Sequence, residues 1–180
     1  MLMQRRGSAL LIVDLQQRLL PAIDDGEAVI GHAVWLAEVA ARLGVPTVVS
    51  EQYPQGLGHT DPRVLDAAAG AAVVEKLAFS CAADGCLADS AIDAASQVVV
   101  CGTEAHVCVL QTAIGLRAAG KAVFLVAEAC GSRRPSDKAL ALARMAAAGI
   151  TVVSREMVAF EWLGRAGSDE FREISKRYLR

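Results

Sequence analysis

The chain has 180 residues, 54% of them hydrophobic, which suffices for one sizeable core and not for two, so a single domain over residues 1–180 is expected. With 18 basic against 20 acidic side chains, the formal net charge of -2 leaves no excess to hold a polyanion, and a nucleic-acid partner is not expected. Aromatics are only 4% while alanine supplies 34 residues, which favours alanine-lined helices packed on a sheet over an all-β sandwich, and the high apolar content with little net charge excludes disorder for most of the chain.

The first apolar run, residues 9–13, is stopped by Asp14. It is far shorter than the roughly 20 residues of a membrane span. Behind Arg5 and Arg6 it also lacks the about 7 to 15 apolar residues and cleavage site of a signal peptide, so neither membrane nor export is expected. A helix over 27–43 ends before Gly44, and a second strand covers 46–49. Residues 51–62, E-Q-Y-P-Q-G-L-G-H-T-D-P, hold too much glycine and proline to be helical and are expected to line a pocket beyond that strand. A short strand at 72–74 precedes a helix over 82–94. Strand 98–101, helix 107–119, strand 123–127, helix 136–148 and strand 150–153 complete the alternation, with Gly120 and Gly149 closing the last two helices. In the tail, 155–180, the large apolar residues Met157, Phe160, Trp162 and Leu163 are expected in the core or at a subunit contact.

The strands are continuous rather than alternating apolar runs, which implies burial on both faces and therefore a parallel sheet. Six βα repeats with right-handed crossovers predict an α/β fold: a three-layer, doubly wound, six-stranded parallel sheet with ligands at the C-terminal strand ends. Six strands are too few for an eight-fold barrel. The five cysteines, Cys81, Cys86, Cys101, Cys108 and Cys130, are an odd number in a chain that needs no staples, so no disulfide framework and a reducing cytoplasm are expected.

Three reactive side chains fall at strand ends: Asp14 after the first, Lys76 after the third and Cys108 just beyond the fourth. Such ends converge on one sheet edge. A cation beside a thiol lowers its pKa and a carboxylate in reach can take its proton, which together make a nucleophilic site. The alternative for each residue is structural: free cysteine is commonly buried, and a carboxylate after a strand can simply cap the next helix.

Val13-Asp14-Leu15-Gln16, Glu75-Lys76-Leu77-Ala78-Phe79-Ser80 and Gly102-Thr103-Glu104-Ala105-His106-Val107-Cys108-Val109 resemble, in order along nearly the whole chain, the three signatures of the isochorismatase-like cysteine hydrolases. With Ser50-Glu51-Gln52-Tyr53-Pro54-Gln55-Gly56-Leu57-Gly58, the resemblance is greatest to the branch of isochorismatase domain-containing proteins. It implies a hydrolase that cleaves an amide-type C–N bond in a small molecule through a thioester. Cys108 would be the nucleophile, Asp14 the base that takes its proton, and Lys76 the cation that holds Asp14 and steadies the thiolate. It further implies a cis peptide between Thr103 and Glu104, an oxyanion hole from the backbone amides of Glu104 and Cys108, and a homo-oligomer.

Departures from the family pattern matter as well. The nicotinamidase branch binds a metal through an Asp-x-His pair after the second strand, but this chain has Glu51-Gln52-Tyr53-Pro54 there. His59 with Glu51 is a poor basis for zinc, which generally takes at least three protein ligands. Neither metal nor cofactor is expected. Isochorismatases that cleave a vinyl ether do not need the thiol, so Cys108 favours the amidase-like reaction and leaves ether hydrolysis as an alternative. Gln16, Gln52, Tyr53, His59 and Phe79 are candidates for the substrate pocket by position. His106, two residues from Cys108, does not face it on a helix and is expected at the pocket edge or surface. Arg133 and Arg134 are expected to be solvated, and the other four cysteines inert.

Two rival enzyme classes fail on motif. A haloacid dehalogenase-type phosphatase needs Asp-x-Asp where Asp14-Leu15-Gln16 stands, and a dinucleotide-binding dehydrogenase needs a Gly-x-Gly-x-x-Gly turn. A non-catalytic member that keeps the pocket for binding or regulation remains open, because fold does not imply function.

Overall fold

The computed structural model describes residues 1–179. Six parallel strands form one sheet in the order β3-β2-β1-β4-β5-β6: β1 Ser8–Val13, β2 Thr47–Gln52, β3 Ala72–Lys76, β4 Gln97–Thr103, β5 Ala122–Gly131 and β6 Thr151–Val153. The central strands β1 and β4 are buried along their whole length, as continuous apolar runs demand. The edge strands β3 and β6 depart from that expectation, with Ala72, Val73, Thr151 and Val152 exposed. Each has a sheet neighbour on one side only.

Helices cover both faces. α1, Gly26–Leu43, packs with α3, Pro62–Ala67, and with the tail helices α8, Arg155–Leu163, and α9, Asp169–Tyr178. On the other face α6, Leu110–Ala118, packs with α4, Cys81–Asp84, and α7, Pro135–Ala147. α9 is strongly charged and docks through few residues: Ile174 is buried, and Tyr178 sits edge-on to Trp35 while accepting its indole N–H on the backbone carbonyl at 3.1 Å. In α8, Trp162 is core, whereas Met157 and Phe160 are half exposed.

Two element expectations are corrected. The single helix over 82–94 is two short ones, α4 and α5, Ala91–Ala94. Gly85 ends the first in the left-handed region and Ser90 caps the second through Ile92 N–H, so the alanine content is overridden by local turn chemistry. The stretch 51–62 does contain a turn of helix, α2, Pro54–Leu57, begun by proline at its first position and closed by Gly58.

The sheet order puts its switch point between β1 and β4, whose connections leave to opposite faces, and this is where a doubly wound sheet opens a crevice. Gly102 makes that junction tight. A Cβ there would lie 2.0 Å from the Val13 carbonyl oxygen, and its φ of 139° is accessible only to glycine. The β4–β5 pairing shifts register between Val100 and Gly102, where β5 advances from Leu125 to Cys130 and so carries the extra residues of a bulge.

Candidate active site

Asp14, Lys76 and Cys108 meet at this edge, all of them buried. Lys76 Nζ donates to Asp14 Oδ2 at 2.8 Å and to Gln52 Oε1 at 2.6 Å, and Cys108 Sγ points at the same Gln52 oxygen from 4.0 Å. Ser50 Oγ donates to Asp14 Oδ1 at 2.8 Å, and Thr103 Oγ1 donates to the Asp14 backbone carbonyl. Gln52 Nε2 is anchored on the Leu77 carbonyl at 2.8 Å. Every strand from β1 to β4 therefore contributes: Asp14 follows β1, Ser50 and Gln52 come from β2, Lys76 from β3 and Thr103 from β4.

The backbone is strained where these groups are presented. Asp14, Tyr53 and Glu104, each immediately after a strand, have φ of 52°, 40° and 55°. Non-glycine residues take this left-handed region at a cost, and it concentrates at functional sites. The expected cis peptide is not formed: Thr103–Glu104 is trans, as are all peptides among the described residues. Cys108 then lies in a π-helical turn, Ala105–Val109, that leads into α6, a widened geometry common at functional sites.

Electrostatics give the site a definite resting state. Burial works to lower the Lys76 pKa, but the charge and hydrogen bond of Asp14 outweigh it and raise the ammonium above its ordinary value. Burial pushes the Cys108 thiol up, and the Asp14 charge pushes it further, against the opposing pull of Lys76. A thiol depressed in advance by its cation is therefore not what the fold provides. Cys108 rests protonated beside a buried carboxylate.

The pocket candidates separate. Gln52 belongs to the site and Tyr53, half exposed, lines a depression of about 420 Å³ with Pro54, Glu75, Lys76, Leu77 and Asp84. Phe79 is half exposed on the loop that follows β3. Gln16 is structural: its side chain clamps the Gln52 N–H at 2.8 Å and the carbonyls of Gln52 and Gly58 at 3.0 and 2.6 Å. His59 points outward, with 74% of its side chain exposed, and reaches Glu51 at 2.9 Å. His106 is largely buried between Ser132, 3.1 Å away, and Glu104, at 3.3 Å, rather than lying at the surface. Arg133 is not merely solvated, since it pairs with Glu104 at 2.7 Å beside the Cys108 turn. Ser50 is a site residue that the sequence reading missed, and Thr103, expected there only for a cis peptide, contributes its hydroxyl. Their one signal was a hydroxyl at the end of an otherwise apolar strand.

A 3-2-1-4-5-6 parallel sheet with helices on both faces is the α/β fold of the isochorismatase-like hydrolases. A profile of the isochorismatase domain matches residues 8–157, and the chain belongs to that family. It is 38% identical over 164 residues to isochorismatase domain-containing protein 1 of Salmo salar, covering 89% of this chain and 57% of that protein. It is 35% identical over 173 residues to isochorismatase domain-containing protein 2A of Mus musculus, covering 94% and 82% respectively. The solved structure of MAR1 ribonuclease from Caenorhabditis elegans superposes with a TM-score of 0.94 at 32% identity, over 100% of this chain and 93% of that one.

Proposed function

We propose that this chain is a cysteine-nucleophile hydrolase that cleaves an amide-type C–N bond in a small molecule. The observation that carries the reading is the buried Asp14–Lys76 pair joined through Gln52 to the Cys108 thiol. The thiol rests protonated, so Asp14 acts at the moment of attack: it takes the thiol proton as Sγ bonds to the carbonyl carbon. The oxyanion is held by the backbone amides of Glu104 and Cys108. The C–N bond then breaks, the leaving nitrogen takes the proton from Asp14, and a thioester remains on Cys108. Water, deprotonated by Asp14, attacks the thioester, the C–S bond breaks, the Cys108 sulfur takes that proton from Asp14, and the acid is released. Lys76 keeps Asp14 in place through both steps.

The depression next to the catalytic edge, lined by Tyr53 and Leu77, is flanked by Glu75 and Asp84. That acidic rim and the net charge of -2 weigh against RNA as the substrate, despite the ribonuclease name of the structural relative. The half-exposed Met157 and Phe160 on α8 support self-association, which a mass by light scattering tests.

A panel of small amides, read by ammonia or amine release and by acyl adducts on intact protein, tests the reading. The expected result is turnover with at least one amide and an adduct that maps to Cys108 and disappears in Cys108→Ser. Release that persists undiminished in Cys108→Ser overturns it, and RNA cleavage lost in the same variant would put the ribonuclease reading in its place.

A further inference from the structure

The turn that carries Cys108 is tied from outside by the loop between β5 and α7. Glu104 joins β4 to that turn in the left-handed region, at φ 55° and ψ 59°. Its backbone carbonyl accepts from the N–H groups of Val107 at 2.8 Å and Val109 at 3.3 Å, and so closes the turn on both sides of Cys108. The Glu104 carboxylate makes no capping hydrogen bond within the turn. It reaches to the neighbouring loop instead, where Oε1 pairs with Arg133 Nε at 2.7 Å.

That loop is itself fixed. β5 runs beside β4 to its end, with Gly131 opposite Thr103. Ser132 is buried, its carbonyl accepts from the Asp24 N–H at 3.0 Å, and its hydroxyl lies 3.1 Å from His106 Nδ1. The two residues that flank Ala105 are therefore held by two consecutive residues of the loop. The Glu104–Arg133 pair is lopsided: 10% of the first side chain is exposed and 59% of the second. An ion pair with so exposed an arm adds little to stability, so its worth lies in geometry. Around the buried carboxylate stand Arg133 and His106, the imidazole 3.3 Å from Oε2, and Asp137 lies beyond, 4.0 Å from His106 Nε2. Among the described residues Oε2 has no hydrogen-bond partner, which leaves the grip on the carboxylate to Arg133. A left-handed residue other than glycine persists where its surroundings over-determine it, and here carbonyl and carboxylate are anchored in different elements.

From the reach of Arg133 to Glu104, the parallel contact of Ser132 with His106 and the left-handed backbone at Glu104, we infer that Arg133 is a positioning residue, which holds Glu104 so that its backbone N–H is aimed at the oxyanion formed when Cys108 attacks. The inference rests on the hydrolase reading proposed above and adds to it the group that fixes the oxyanion hole. Arg133 also offsets the Glu104 carboxylate, a negative charge that otherwise stands beside a developing one. Both effects pass through Glu104.

Two probes of the same sulfur separate aim from general disturbance. Propanal labelled at its carbonyl carbon adds to Cys108 as a thiohemiacetal: Sγ bonds to that carbon, the C=O electron pair moves onto oxygen, and the thiol proton ends on that oxygen by way of Asp14. Iodoacetamide alkylates Sγ with loss of iodide and forms no oxyanion. Carbon NMR reads the adduct and mass spectrometry the alkylation rate, in wild type, Arg133→Ala, Arg133→Lys, Glu104→Gln and the double variant Glu104→Gln with Arg133→Ala. The exposed position of Arg133 lets both of its substitutions fold. In Arg133→Ala the dissociation constant of the adduct is expected to rise roughly ten-fold, less than the about 100- to 1,000-fold effect of deleting an oxyanion donor, while alkylation stays within about two-fold. Arg133→Lys is expected to fall between, and Arg133→Ala to add little in the Glu104→Gln background, because it acts through that carboxylate. Equal propanal affinity in wild type and Arg133→Ala would overturn the inference and leave the hydrolase reading standing. Equal losses with both probes would also overturn it, as the mark of a turn merely loosened. A wild-type NMR signal that persists in Cys108→Ser, or no adduct at all, would overturn both.

Discussion

Two buried carboxylates stand at the ends of neighbouring strands, Asp14 after β1 and Glu51 in β2, and they are used in opposite ways. Glu51 spends its hydrogen-bonding capacity on the loop that follows it. Oε1 accepts from the Thr60 N–H at 2.7 Å and the Thr60 hydroxyl at 2.8 Å, and Oε2 meets His59 at 2.9 Å. Asp14 is instead held by a buried ammonium and one strand hydroxyl, with its charge acting on the Cys108 thiol. Glu51 is a clasp, and Asp14 is left for the role of base proposed above. Burial and charge alone do not separate them; the nature of the partners does.

The largest expected effect that sharpens this contrast is on catalysis. Asp14→Asn lowers turnover of any amide substrate by roughly 100- to 10,000-fold with the fold intact, whereas Glu51→Gln changes it far less, as steady-state rates and circular dichroism together show. Next comes the ion pair. Lys76→Met strands a buried carboxylate and is expected to cost about 3–5 kcal/mol of stability in urea unfolding. A loss below about 1 kcal/mol would mean that the couple is not buried as described.

Glu51→Gln removes a charged acceptor from two buried donors and is expected to cost about 1–3 kcal/mol. Its pH dependence carries a sign. Burial works to raise the Glu51 pKa, but the Thr60 and His59 hydrogen bonds outweigh it and hold it below the ordinary carboxylate value. A depressed group stabilises above its unfolded pKa and loses that contribution as pH falls through its folded one, so the gap between wild type and Glu51→Gln should close under acid. The smallest effect is expected of His59→Ala, which removes only the solvent-exposed partner of this clasp and should shift the urea midpoint less than Glu51→Gln does.

The strand runs were legible because parallel strands buried on two faces have no need of polar residues, and Asp14 and Lys76 stood out as the charges that end two of them. Cys108 was singled out by its place beyond a third. What stayed hidden depends on side chains that meet only in three dimensions. Gln16 and Gln52 look alike on the page, yet one clamps backbone and the other bridges Lys76 to the thiol. The direction of the thiol's shift was also illegible, since proximity to Lys76 argues one way and burial beside Asp14 the other. The break at Gly85 was masked by the alanines around it.

The most direct test of Asp14 as the base of Cys108 is the pH midpoint of Cys108 alkylation by iodoacetamide, read site by site by mass spectrometry, in wild type and in Asp14→Asn. The Asp14 charge raises the thiol pKa while Lys76 lowers it, so removing that charge should move the midpoint down and make the thiol more reactive at neutral pH even as it loses its base. A midpoint that stays in place or rises would contradict the account, because Asp14 would then not act on the Cys108 thiol.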